Sequence, residues 1–224
     1  MPVDQAAGLR RRSAAQPLCC IHGIFYSPDS TLRLAQALHR IGWTSLLIDG
    51  SGRVFAGSPS RSLFDWRQQL ARQQLHTQTM SCGDGWHAPG LKADEPALRA
   101  IALRYDCLLF DVSPGTPDWL PLPDSVQTLV LEVNATHASM LQAYALLKTL
   151  ARRESPIGIS LLGDAAACDH LQAACQAFLG SEFSRTVNSV AHADDAFAAL
   201  AVRMSGEETG LAARSKRECT GTWP

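Results

Sequence analysis

"CIHGIFYSPDST", residues 20–31, is the stretch whose placement decides the fold. It overlaps the end of the apolar run "LCCI" (18–21) and leads into "STLRLAQALHRIG" (30–42), where Leu32, Leu34, Ala35, Leu38 and Ile41 recur at helical spacing and Gly42 closes the run. "TSLLID" (44–49) follows as a second apolar strand. A buried strand, a loop, an amphipathic helix and another buried strand form a unit that joins parallel strands. The loop then lies beyond the carboxyl end of its strand, where open parallel sheets bind their ligands.

The same alternation continues along the chain. "SLFDWRQQLARQQL" (62–75) reads as a helix, with Phe64, Trp66 and Leu70 on its packing face, and "DGWHAPG" (84–90) as strand and turn. "EPALRAIALR" (95–104) reads as a helix with Pro96 near its first turn, and "YDCLLFDVSPG" (105–115) as a buried strand ending in an acid and a loop. "SVQTLVLEVN" (125–134), a helix from Ala138 to Arg153, "PIGISLLG" (156–163) and a helix from Ala165 to Phe178 complete at least five strands interleaved with helices. The expected fold class is α/β, a doubly wound and mostly parallel sheet with helices on both faces. Three parts are expected: an N-terminal segment at 1–16, the α/β domain at 17–204 and a polar tail at 205–224.

Composition narrows the function classes. Twenty basic and 21 acidic side chains leave a formal charge of -1, so no whole-molecule field favours nucleic acid or an anionic membrane. Only Lys92, Lys148 and Lys216 are lysines, and none is near the loop in sequence. Seven scattered cysteines without a CxxC pair suggest neither a zinc site nor a disulfide framework; Cys19, Cys20 and Cys107 read as small core residues. No run approaches the roughly 20 apolar residues that cross a bilayer, and no signal-peptide core is visible, so a cytoplasmic location is expected. Seven histidines come without a GxSxG elbow, and His137 and His170 read as helix-surface residues.

The strand-loop-helix order at 18–42, "LLIDG" at 46–50 and "YDCLLFDVSPG" at 105–115 together resemble the deviant phosphate-loop ATPases of the MinD/ParA family, of SIMIBI type, over most of residues 18–180. Laid over that family's GKGGVGK[ST]T loop, the chain puts Gly23 on the first glycine and Ile24 on the signature lysine. Phe25 and Tyr26 fall on the paired glycines, Pro28 on the last glycine and Asp29 on the invariant lysine; only Ser30 and Thr31 keep their type. A phosphate cradle needs glycines whose N–H groups can turn inward and a cation against the β- and γ-phosphates. Here bulky side chains are expected in the approach, Pro28 removes a donor, and the reversed charge at Asp29 is worth on the order of several kcal/mol at about 4 Å. Asp29 with Ser30 is expected to cap the following helix.

Asp49 matches the family's switch acid, Ser51 replaces its second acid, and Asp111, followed by Gly115, matches the acid of the magnesium shell. For Asp49 and Asp111 two readings stand: strand-end carboxylates that bond loop amides, or residual metal binding. The resemblance therefore implies the MinD-like fold with a degenerate phosphate loop, a pseudo-ATPase with no cofactor and no metal. ATP and magnesium would return only for an active ATPase with an unorthodox loop.

"DQAAGLRRR" (4–12) carries a DQAxxLR motif, which within that family marks the flagellar-number regulators FlhG/FleN. Asp4, Gln5, Ala6, Leu9 and Arg10 fit it; Gly8, in a variable position, costs a helix roughly 1 kcal/mol relative to Ala. The resemblance implies a mobile helix that docks on the SRP-type GTPase FlhF and stimulates its hydrolysis, with Gln5 as the activating carboxamide and Arg10, Arg11 and Arg12 as the anchor. It also implies a flagellar transcription activator or switch-complex protein as further partner. No nucleic-acid partner is expected. The C-terminal "MSGEETGLAARSKRECTGTWP" has almost no apolar face, so no stable membrane anchor is expected either. A MinD-like adaptor of another apparatus, such as cellulose secretion, is the alternative of a different class.

Overall fold

The computed structural model describes residues 18–57, 78–87, 104–113, 125–153 and 157–206, together with the single positions 68, 72, 98, 101 and 102. Among the described residues, eight strands form one sheet: β1 (Leu18–Ile24), β2 (Ser45–Asp49), β3 (Gln78–Met80), β4 (Gly83–His87), β5 (Cys107–Asp111), β6 (Ser125–Val133), β7 (Gly158–Gly163) and β8 (Val187–Ser189). Their spatial order is β3-β4-β2-β5-β1-β6-β7-β8, parallel throughout except for β3 against β4. Helices α1 (Pro28–Arg40), α2 (His137–Arg152), α3 (Ala165–Phe178), the single turn α4 (Ser181–Ser184) and α5 (196–206) connect and cover it.

β1 lies in the middle of the sheet, and its side chains alternate between two cores. Cys19 and Ile21 pack with Leu34, Ala35 and Leu38 of α1 and with Phe197, Leu200, Ala201 and Met204 of α5. On the opposite face, Ile24 packs with Ala143, Leu147 and Leu150 of α2, while Cys20 joins Leu46, Ile48, Trp86 and Leu108. Strands buried on both faces read as unbroken apolar runs because no position along them faces water. Cys19, Cys20 and Cys107 are core residues, and burial pushes the Cys20 thiol up to about 12, so it stays protonated.

The doubly wound α/β architecture is present, with two short edge strands and α5 beyond the expected elements. β3 and β8 have three residues each, too short to leave a periodic signature. α5 does leave one, since Phe197, Leu200, Ala201 and Met204 follow helical spacing. The helix start differs too. α1 begins at Pro28, not Ser30, and its N-cap is Ser27, whose Oγ accepts from the Asp29 amide at 3.2 Å. Pro28 explains the shift, because a residue with no N–H and a fixed φ suits the first helical position. Asp29 sits one step inside, exposed, where its charge complements the helix dipole without capping.

The helix expected at 62–75 lies outside the described residues except for Gln68 and Arg72, whose 3.1 Å backbone bond spans one turn. That at 95–104 lies outside them except for Leu98, Ile101, Ala102 and Arg104, the first three buried. The segment 1–16 and residues 207–224 of the expected tail also lie outside. Among the described residues, no helix is long and apolar enough to cross a membrane.

Candidate functional site

Parallel pairing brings four strand ends into one row. Gly23 of β1 is in register with Asp111 of β5, Asp111 with Asp49 of β2, and Asp49 with His87 of β4. Asp49 and Asp111 are both fully buried, so their carboxylates must be satisfied by the protein.

Asp49 serves the loop that follows it. Its Oδ1 accepts from the amides of Gly52 at 2.7 Å and Arg53 at 3.2 Å, and its Oδ2 from the amide of Phe55 at 2.8 Å. The turn needs a positive φ of 75° at Gly52, which glycine adopts at no steric cost. Asp111 faces the first turn of α1 and the loop after β2: its Oδ1 accepts from the Thr31 hydroxyl at 2.7 Å, and its Oδ2 accepts from the Ser51 hydroxyl. The bonding of loop amides expected of a strand-end acid is thus found at Asp49.

Between these acids and the first loop lies Arg53. Its Nη1 donates to the carbonyl oxygens of Phe25 at 3.0 Å and Tyr26 at 3.4 Å, and its Nε to Ser51 Oγ at 3.0 Å. Nη2 stands 3.4 and 3.3 Å from the two oxygens of Asp111, and the Arg53 side chain is 35% exposed. One guanidinium therefore ties together the loops after β1 and β2 and the end of β5.

The opening loop is held from its other side by Glu132 of β6. The amide of Tyr26 donates to Glu132 Oε2 at 2.7 Å, and the Ser30 hydroxyl donates to Oε1 at 3.1 Å. The Tyr26 hydroxyl reaches Ser139 Oγ at the start of α2, which in turn accepts from the Asn134 amide at 3.1 Å. Phe25 does not stand in the approach as expected: it is 2% exposed and folds into the core beneath the loop. Its ring lies so close to Gly23 that an added Cβ there would fall 2.1 Å from a ring carbon. Apolar burial decides that orientation, whereas Tyr26, 46% exposed, keeps its polar end on Ser139. Beside the loop a cleft of about 420 Å³ runs along α2, lined among others by Ile24, Tyr26, Leu131, Glu132 and Leu146.

One residue before Gly23, His22 is buried, stacked on Phe110 at 5.2 Å and bonded through Nε2 to Gln127 Oε1 at 2.9 Å. Burial lowers its pKa below the usual 6.5, opposed in part by the Gln127 bond.

Of the residues singled out in the sequence, Gly23, Ser30, Thr31, Asp49 and Asp111 meet at this edge of the sheet. Asp29 is on the first turn of α1, exposed, so solvent screens the reversed charge expected to act there. Gly115 and the segment carrying Asp4, Gln5, Leu9, Arg10, Arg11 and Arg12 lie outside the described residues. Arg53 and Glu132 are the charged groups that sequence reasoning passed over. Glu132 had a visible signal, an acid inside the apolar run "LVLEV"; Arg53 had only its place four residues after Asp49. Among the described residues no group of three or more His, Cys, Asp or Glu side chains could hold a metal ion. His137 and His170 are exposed on helices.

No protein-family model matches the chain, and no curated protein matches it significantly. Solved structures do. A ParA family ATPase from Chlorobium tepidum TLS superposes with a TM-score of 0.50 at 17% identity, covering 80% of this chain and 86% of that one. The pNOB8 ParA, whose structure is bound to nonspecific DNA, superposes with a TM-score of 0.51 at 16% identity, covering 80% and 83%. With the sheet order above, these likenesses define the class of fold: the chain has an α/β, mostly parallel fold like that of the ParA family ATPases.

Proposed function

We propose that this protein works through protein contacts, with nucleotide binding lost, and that it regulates flagellar number or placement in the manner of FlhG/FleN. In this reading residues 4–12 engage an FlhF-like SRP-type GTPase and raise its hydrolysis rate, Gln5 orienting the attacking water and Arg10, Arg11 and Arg12 anchoring the segment. The α/β body is the scaffold that carries it. A flagellar transcription activator or switch-complex protein is the further partner class, and neither nucleic acid nor a membrane anchor is part of the reading.

The observation that carries the loss of nucleotide is the pairing of the loop with Glu132. A phosphate loop aims its amides and its Ser or Thr hydroxyl at the phosphates and their metal. Here the Tyr26 amide and the Ser30 hydroxyl are both turned to the carboxylate of Glu132, an anion supplied by the protein itself. A triphosphate entering the loop would meet that carboxylate where the loop itself carries Asp29 in place of a lysine, and Pro28 removes a further donor. The residues present do not fit a magnesium–triphosphate group.

Two measurements test the two halves. Calorimetric titration with ATP and magnesium is expected to give no binding, and micromolar affinity overturns the pseudo-ATPase half. A peptide of residues 1–16 is expected to speed GTP turnover by the cognate SRP-type GTPase, and its Gln5→Ala form to lose the effect. Failure of the intact protein to stimulate ends the activator half.

A further inference from the structure

The five oxygens around the Arg53 guanidinium come from three separate segments: Phe25 O and Tyr26 O, Ser51 Oγ, and both oxygens of Asp111, all between 3.0 and 3.4 Å. An all-oxygen shell of carbonyls, a hydroxyl and a carboxylate is the kind that hard cations take. We propose that Arg53 is a tethered cation that permanently fills this shell and fixes the loops after β1 and β2 in one conformation. The surface at the carboxyl ends of the strands is thereby made independent of any soluble cation. The inference rests on the proposal that no nucleotide uses this cleft, and adds what takes over the ordering of its loops.

Three further observations support it. The backbone of Arg53 is itself positioned, since Asp49 binds the amides of Gly52, Arg53 and Phe55, and the Phe55 side chain is buried in the core. The head group therefore reaches its shell from a prepared position and loses less freedom in doing so. Second, Asp111 is fully buried, and among the described residues Arg53 is the basic side chain within ion-pair distance of it, at 3.3 Å. Breaking a buried pair by removing one partner leaves an uncompensated charge. Third, the guanidinium makes different bonds on its different edges: Nη1 holds the first loop, Nε the second, and Nη2 the end of β5. Lysine, a compact point charge, could not span these three directions. Switch loops of nucleotide-driven proteins are ordered by a phosphate–metal group and released when it changes. A cation joined covalently to the loop cannot leave, so partners meet one fixed surface.

The test is chemical rescue in the full-length chain. Arg53→Ala is expected to lower the thermal midpoint by roughly 4 °C or more. Millimolar methylguanidinium should restore part of that loss in the variant and do nothing for the wild type, and tetramethylammonium, which cannot donate hydrogen bonds, should do nothing for either. The double variant Arg53→Ala/Asp111→Asn, which removes both charges, should unfold above Arg53→Ala alone. Should Arg53→Ala fail to fold, Arg53→Lys is read by amide exchange at Gly52 and Phe55, expected to be at least about tenfold faster than in the wild type. A wild-type midpoint for Arg53→Ala, equal response of both proteins to methylguanidinium, or unchanged exchange in Arg53→Lys overturns the inference. Nucleotide binding by the wild type is read separately by the ATP titration, so a failure there and a failure of rescue are distinct results.

Discussion

The Tyr26 amide donates to the Glu132 carboxylate at 2.7 Å, joining residues 106 apart in sequence. Through this bond and that from Ser30 at 3.1 Å, the loop after β1 is fastened to β6, while Arg53 holds its carbonyls from the side of β2. Donors and acceptors of the loop are thus matched by opposite charges from within the chain. A polar loop at a sheet edge needs such partners to keep one conformation when no ligand supplies them.

Removing the internal anion should therefore loosen the loop. Glu132→Ala deletes the acceptor of two charge-assisted bonds and is expected to cost about 1–3 kcal/mol in urea unfolding. Glu132→Gln keeps one acceptor oxygen and should cost less. Equal stability of Glu132→Ala and wild type would show that the loop is held by something else.

Gly23 answers to steric contact with Phe25 rather than to phosphate. A Cβ at residue 23 would lie 2.1 Å from the Phe25 ring, inside any van der Waals contact, so Gly23→Ala should cost about 1–3 kcal/mol or more by forcing that ring out of the core. Gly23→Ala/Phe25→Ala should fall short of the summed single losses, because the clash vanishes with the ring. Additive losses in thermal unfolding would contradict the contact.

How far the sequence disclosed all this follows from the range over which each feature is encoded. The strands around β1 and the helix after the loop were legible because burial on both faces and helical periodicity are local patterns, as at Cys19 to Ile21 and at Leu34, Ala35 and Leu38. The meeting of Gly23, Asp49 and Asp111 followed from parallel pairing, which brings strand ends together. The partners of the loop were not legible, since Glu132 and Arg53 reach it through tertiary contacts across 106 and 28 residues. The cap expected at Asp29 and found two residues earlier shows the local limit: Ser27, Asp29 and Ser30 are all good caps by type, and Pro28 decides among them.

That decision can be tested directly. Ser27→Ala removes the side-chain acceptor of the Asp29 amide and should cost about 1 kcal/mol, the usual loss of a cap. Asp29→Ala removes only a first-turn charge in solvent and should cost a few tenths of a kcal/mol at low salt, vanishing as salt rises. The reverse order of the two variants in urea unfolding would return the cap to Asp29.

His22 gives the fold a pH dependence whose sign is set by burial. Its folded pKa is lowered from the usual 6.5, so the native chain prefers the neutral ring, stacked on Phe110 and bonded to Gln127. In the unfolded chain the ring takes up a proton as pH falls through about 6.5, while the folded chain resists. The contribution of His22 is therefore complete above that pH and declines below it until the folded ring is protonated, with a slope of at most about 1.4 kcal/mol per pH unit. Denaturation followed from pH 8 to pH 5 should show this loss in the wild type. His22→Gln, which does not titrate, should lose less over the same range, and identical profiles for the two proteins would mean that the ring takes up its proton as readily in the folded chain as in the unfolded one.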